Sequence, residues 1–248
     1  MKIHVGGRRG SVPVSGKETV QYGGDTLSLL VEGSRGGQLI LDAGTGLRNL
    51  VPLIRPRAAL LLTHFHLDHL LGLPYLETCW PDKIISGRQN FREILSRIFS
   101  PPIWPVILKD FEAIQGGAAM NIMEFTVTFH PVCHPNGCWA ICVEEPSENE
   151  KMVLATDLEW GKMTHEEQGA FIDFAKDVQN LYFDAHFLPE EIEAYRGWGH
   201  STWQEAMAVA KACNARTLHP VHFAPIRTDS EIHAIVSSIG RLLNKDAP

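Results

Sequence analysis

The sequence predicts an α/β protein whose sheets are covered by helices, and three observations carry that prediction. Short apolar runs of strand length recur along the chain, segments with helical spacing lie between them, and no repeat, linker or low-complexity tract interrupts the order. Strands lead early in each half, which suits a single layered domain spanning residues 1–248. Hydrophobic residues make up 44% of the 248, enough to bury a sizeable core.

Taken in order, Ile3 to Val5 is a short strand, followed by the glycine- and arginine-rich turn Gly6 to Gly10. Leu27 to Glu32 and Gln38 to Asp42 read as strands joined by a Gly-Ser-Arg-Gly-Gly turn, a hairpin signal. Gly44 to Leu50 is a tight turn leading into a short helix that Pro52 ends. Ala58 to Thr63 is a continuous apolar run, suited to a strand buried on both faces. A histidine-rich turn and a helix starting near Leu67 should follow, then a strand over Lys83 to Ser86. Arg88 to Phe99 has helical spacing until Pro101 and Pro102 stop it. Asn121 to Phe129, Trp139 to Val143 and Lys151 to Ala155 are the next strands. His165 to Asp177 is an amphipathic helix, Asn180 to Asp184 a strand, and Thr202 to Ala212 a helix with Ser201 as its N-cap. Ala215 to Leu218 is the last strand and Asp229 to Leu243 the closing helix.

Composition excludes several classes of function. The formal net charge is −7 with no block of Lys or Arg, so no basic stripe offers general affinity for nucleic acid. The longest apolar run, Ala58 to Leu62, is far too short to cross a bilayer. Five cysteines form no disulfide framework, and the opening residues lack a signal peptide's apolar core, so a reduced, cytoplasmic setting is expected.

The strongest feature is the run Thr63 to His69, which places three histidines and an aspartate within six residues after an apolar strand. Residues two apart at a strand end point the same way, so His64 and His66 can reach one ion. A helix starting at Leu67 would carry Asp68 and His69 to a second face, giving each of two cations two ligands. Imidazole and carboxylate donors suit zinc, manganese or iron and disfavour calcium. Further ligands must come from His130, His134, Asp157, Asp184, His186, His200, His219 and His222, most of which lie at predicted strand ends. Strand ends on one sheet edge converge on one crevice.

His64 to His69 resembles the HxHxDH signature of the metallo-β-lactamase superfamily, and the order of the remaining motifs agrees along nearly the whole chain. His134, beginning His-Pro-Asn-Gly, resembles the third histidine motif. Asp157 resembles the bridging aspartate, and His222, three residues before Pro225, the final histidine. The resemblance implies a four-layer αβ/βα sandwich with two divalent metal ions at one edge of two facing sheets. His64, His66 and His134 would hold one ion, Asp68, His69 and His222 the other, and Asp157 would bridge them. The segment Gly199 to Thr202 resembles the HST motif of the phosphodiesterase and tRNA 3′-endonuclease-like branch, and Asp184 the acidic partner of that histidine. The segments Gly10 to Pro13, Tyr22 to Thr26 and Leu41 to Gly46 resemble that branch's opening. Lactamases that destroy antibiotics lack the HST element, and no segment here resembles the glycine-rich arm with which tRNA-processing members grip tRNA.

The expected activity is therefore metal-dependent hydrolysis of a phosphodiester. The expected substrate is a small cyclic nucleotide, a nucleic-acid end or a phosphonate-derived diester. Two cations sharing Asp157 and a water lower that water's pKa. His200, oriented by Asp184, serves as general acid, and Asp68 counts among the catalytic groups as well as the ligands. Hydrolysis of a carboxylic ester, lactone or thioester on the same site is the enzymatic alternative, and a non-catalytic metal- or partner-binding role the third. His130 competes with His134 and His219 with His222, while His186 reads as packing. Arg8 or Arg9 could touch an anionic substrate. Cys133, Cys138 and Cys142 lack the spacing of a structural zinc site. Trp104 and Trp198 are candidates for an aromatic rim that stacks on a substrate or supports a homodimer.

Overall fold

The architecture is described from a computed structural model covering residues 1–105 and 108–245, with 241–245 as backbone only. The first half builds one sheet from β1 (Lys2–Gly7), β2 (Ser28–Glu32), β3 (Gln38–Leu41), β4 (Ala59–Leu62), β5 (Lys83–Ser86) and β6 (Glu112–Gln115), in that spatial order. The second half builds the other from β7 (Met120–Ile122), β8 (Phe125–Val132), β9 (Cys138–Glu145), β10 (Glu150–Ala155), β11 (Asn180–Asp184) and β12 (Thr217–Val221), again in sequence order. Pairing is antiparallel from β1 to β3 and parallel from β3 to β6. It is antiparallel from β7 to β10 and parallel from β10 to β12. Each half thus ends in a parallel set whose strands point the same way.

Alternation along the strands divides the apolar residues between three cores. Leu29, Leu41, Leu61 and Ile85 meet Phe125, Val127, Ile141, Leu154 and Val221 between the sheets. On the outer face of the first sheet, Leu30, Ile40, Leu60, Leu62 and Ile84 pack under α1 (Leu47–Leu50) and α2 (Phe91–Ile98) through Leu47, Leu50, Phe91 and Leu95. On the outer face of the second, Val153, Leu181 and Phe183 pack under α3 (His165–Phe174), α4 (Trp203–Ala212) and α5 (Asp229–Lys245). The result is the four-layer αβ/βα sandwich. Three consecutive leucines of β4, Leu60 to Leu62, are fully buried because each face meets a different core, and each contributes about 1.5–3 kcal/mol.

Several local expectations are corrected. No α-helix starts at Leu67. Leu67–His69 is a single 3-10 turn, because the chain's hydrogen bonds turn aside: Ala43 N–H donates to His69 O and Gly72 N–H to Ala43 O. Asn121 to Phe129 is not one strand but the β7–β8 hairpin, turned at Met123 with φ of 55°. Pro52 lies within a 3-10 turn (Val51–Leu53) rather than ending the helix before it. Thr202, not Ser201, caps α4; its hydroxyl accepts from Glu205 N–H while the Glu205 carboxylate accepts from Thr202 N–H. The last strand starts at Thr217 and runs through Pro220, which an edge strand tolerates. β6 carried no recognisable strand signal.

Candidate metal centre

The crevice outside the carboxyl ends of β3, β4, β10, β11 and β12 receives nearly every predicted ligand. His64 to His69 follow β4 and His134 sits in the β8–β9 turn. Asp157, Asp184 and His222 end or follow β10, β11 and β12. Asp42, Asp157 and His222 each adopt left-handed backbone, with φ of 57°, 55° and 61°. Such strain collects where the chain must aim a side chain sharply. Close backbone approach helps as well: a Cβ on Gly10 would lie 2.2 Å from His222 Cε1.

Among the described residues four groups of donors come together, and two of them divide the predicted ligands. His64, His66, His134 and Asp157 each offer an atom within 4.8 Å of the others, and so do Asp68, His69 and His222. His134 Nε2 is 3.2 Å from His66 Nδ1, and His69 Nε2 is 3.3 Å from His222 Nε2. Asp157 lies between the groups. Its Oδ1 is 3.8 Å from both His64 Nε2 and His134 Nε2, while its Oδ2 is 3.1 Å from His69 Nε2 and 3.2 Å from His222 Nε2. Asp68 Oδ2 is 3.1 Å from His222 Nε2 and accepts the Ser11 N–H at 2.8 Å.

These donors fit divalent cations. Facing nitrogens 3.2–3.3 Å apart match the edge of a tetrahedron with metal–nitrogen bonds of about 2.0–2.1 Å. His64 Nε2 is buried without a protein partner and faces the cluster. The outer nitrogens fix the tautomers. His69 Nδ1–H donates to Asp42 Oδ2 at 2.8 Å and His134 Nδ1–H to Gly199 O at 2.9 Å, leaving each Nε2 lone pair facing inward. Thr63 hydroxyl donates to Asp42 and so accepts from His64 Nδ1–H at 3.1 Å. Burial, and then His69, keep His64 neutral, the form that binds a metal. Burial opposes charge on Asp157, yet His222 and His69 hold its carboxyl well below the usual range.

Beside the two groups stands a third pair. His200 Nδ1–H donates to Asp184 Oδ2 at 3.0 Å, and Asp184 also accepts backbone N–H groups of Asp157, His186 and Ser201. Although burial works against a charged ring, Asp184 and then Asp157 lift His200 to about 9. The loop carrying His200 is held by Glu159. Its buried carboxylate accepts the N–H groups of Gly197, at 2.9 Å, and Gly199, at 3.2 Å.

The competing histidines separate cleanly. His130 stacks on Phe174 at 4.9 Å, on the outer face of β8. His219 is inside β12, not past it, stacked on Tyr182 at 4.4 Å and bonded to Asn180 Oδ1 at 2.9 Å. His186, read from sequence as packing, stacks on His200 at 4.3 Å and donates from Nδ1 to His222 O at 2.8 Å. Arg9 is fully buried, with its guanidinium on the carbonyls of Gly23, Ala224 and Arg227. Trp104 packs edge-on to Phe99 at 6.0 Å in the outer core. Cys133, Cys138 and Cys142 are free thiols, the latter two buried. Sequence reasoning missed Glu159 and gave Asp42 no role of its own, although Asp42 lies in the segment Leu41 to Gly46 that carried part of the resemblance.

Comparison with known proteins agrees with this geometry. Residues 38–223 match the sequence model described as a beta-lactamase superfamily domain. The chain is 25% identical to Ribonuclease Z of Bradyrhizobium diazoefficiens, over 86% of this chain and 88% of that protein. Its fold is similar to the metallo-beta-lactamase fold protein YhfI from Bacillus subtilis, with a TM-score of 0.71 at 20% identity over 96% and 91% of the two chains. It is also similar to a diphosphatase from the PhnP family, with a TM-score of 0.70 at 16% identity over 94% and 90%. Among the described residues no helix is long and apolar enough to cross a membrane.

Proposed function

We propose, starting from the fact that this chain belongs to the beta-lactamase superfamily and is a metal-dependent hydrolase, that its substrates are phosphodiesters and its cofactor a pair of divalent cations. His64, His66 and His134 would hold one ion, and Asp68, His69 and His222 the other. Asp157, with one oxygen toward each group, would be shared. Zinc suits the donor set best, with manganese and iron as the other candidates. When bound, such a pair supplies Lewis acidity, which readies a water for attack near neutral pH and stabilises charge on phosphoryl oxygens.

The observation that carries the phosphorus reading is the His200–Asp184 pair beside both donor groups. Asp184 takes the Nδ1 proton of His200 in a 3.0 Å bond, which leaves Nε2, on the far side of the ring from Asp184, as the proton donor. An alkoxide leaves phosphorus poorly without a proton, and a positioned imidazolium delivers one. The three backbone N–H groups on Asp184 keep its carboxylate fixed, so His200 cannot swing away from the reacting oxygen. The likeness to Ribonuclease Z over most of both chains points the same way.

Hydrolysis of bis(p-nitrophenyl) phosphate by protein loaded separately with zinc and manganese tests this reading. Turnover is expected with at least one metal and is lost in Asp157→Ala. His200→Ala should keep its metals yet lose about 10²–10⁴-fold on diesters with an alkoxide leaving group. It should lose less with p-nitrophenolate, which departs without a proton. A metal-loaded protein inert toward both kinds of diester overturns the reading.

A further inference from the structure

We infer that Tyr195 and Trp198 form a subsite for a planar aromatic group carried on the leaving oxygen of the substrate, an inference that rests on the phosphodiesterase reading of the same site. Three rings run outward from the proton donor. Phe187 meets His200 edge-on at 5.9 Å, Tyr195 stacks on Phe187 at 4.7 Å and 10°, and Trp198 meets Tyr195 edge-on at 5.1 Å and 82°. Exposure climbs along this series, from 5% at Phe187 to 36% at Tyr195 and 60% at Trp198. The series therefore ends in an open corner formed by two perpendicular rings.

An indole this exposed gains little by burial, yet its backbone is held with unusual care. Trp198 N–H donates to Tyr195 O at 3.1 Å. The glycines on either side have φ of 90° and 87°, and both give their N–H groups to the buried Glu159 carboxylate. No other residue fits at 199, where a Cβ would lie 2.2 Å from His134 Nδ1. A buried carboxylate and two left-handed glycines thus fix the backbone that carries one exposed indole, two residues before His200. Such a platform is pre-organised and loses little entropy when a ring docks on it.

Direction follows from the chemistry. In hydrolysis the phosphorus–oxygen bond to the alcohol breaks and water's oxygen replaces it on phosphorus. The alcohol oxygen takes its proton from His200, which is restored by the proton that water gives up. The alcohol part of the substrate therefore lies on the His200 side, where the Tyr195–Trp198 corner offers one ring face and one ring edge to a flat group.

Methyl 2-phenylethyl phosphate and methyl 2-cyclohexylethyl phosphate test this, since their leaving alcohols are nearly equal in basicity and bulk and differ in aromaticity. With zinc- or manganese-loaded protein the phenyl diester should show a KM about tenfold lower at similar kcat. Trp198→Ala should abolish that preference with metal content unchanged, and Trp198→Phe should keep most of it. Calorimetric affinities for 2-phenylethyl and 2-cyclohexylethyl phosphate read the same subsite without turnover. Binding that prefers the phenyl ester and depends on Trp198, with no turnover of either diester, sustains the subsite and sinks the phosphodiesterase reading. Turnover of both diesters with a preference unaltered in Trp198→Ala, or no binding preference in the unaltered protein, overturns the subsite.

Discussion

Asp42 touches three groups at once. Its carboxylate accepts His69 Nδ1–H, the Thr63 hydroxyl and the Thr63 N–H, so one buried side chain sets the ring orientation of His69 and, through Thr63, of His64. One of these histidines belongs to each donor group. Asp42→Asn should therefore weaken metal binding at both donor groups by about 10–100-fold, measured by competition with a chelator of known affinity. An unchanged affinity would show that the rings hold their positions without it. Residues of this kind are poorly legible in a sequence. The run from His64 to His69 announces itself because four donors crowd six positions, whereas Glu159 is a single carboxylate with nothing nearby to distinguish it from a solvated one, and the Leu41 to Gly46 segment does not say what Asp42 touches. Their partners, 21 and 27 residues away for Asp42 and 38 and 40 for Glu159, become neighbours only in the fold.

At the scale of elements, the two cleanest helix starts are capping boxes, at Thr164 for α3 and Thr202 for α4. The second matters more, because Thr202 follows His200 by two residues and α4 anchors the loop that presents it. Thr202→Ala should cost about 1 kcal/mol, read as a lower urea midpoint with an unchanged m-value. The same elements show where periodicity misleads. The sequence predicts the last strand over Ala215 to Leu218, yet β12 runs on to Val221 with Pro220 inside it, opposite Phe183. An edge strand has one side without a neighbour, and the sequence does not say which strands are edges. The 3-10 turn at Leu67 is the opposite case. Its residues favour a helix, but the carbonyl of Ala43 captures the Gly72 N–H and the ladder ends there.

Over the whole molecule, stability against acid depends on imidazoles folded away in neutral form. Burial, and then the neighbouring Arg8, push His219 from 6.5 down to about 4. Its depressed folded value means that the unfolded chain binds more protons through that window. The contribution is complete above about 6.5 and is lost as pH falls toward 4. In protein stripped of metal, the fall in stability between about pH 7 and pH 5 should be smaller in His219→Gln than in the unaltered chain. Equal falls would place the acid sensitivity elsewhere. The two sheets, each laid down in sequence order, share a further property. The first sheet supplies His64 to His69, and the second supplies His134, Asp157 and His222. His222 and Asp68 are 154 residues apart. During synthesis, a ribosome that has released the first sheet has therefore made only half of each donor group. Both donor groups are completed late in the life of a nascent chain, and until β12 joins its neighbour the emerging histidines stand open to solvent.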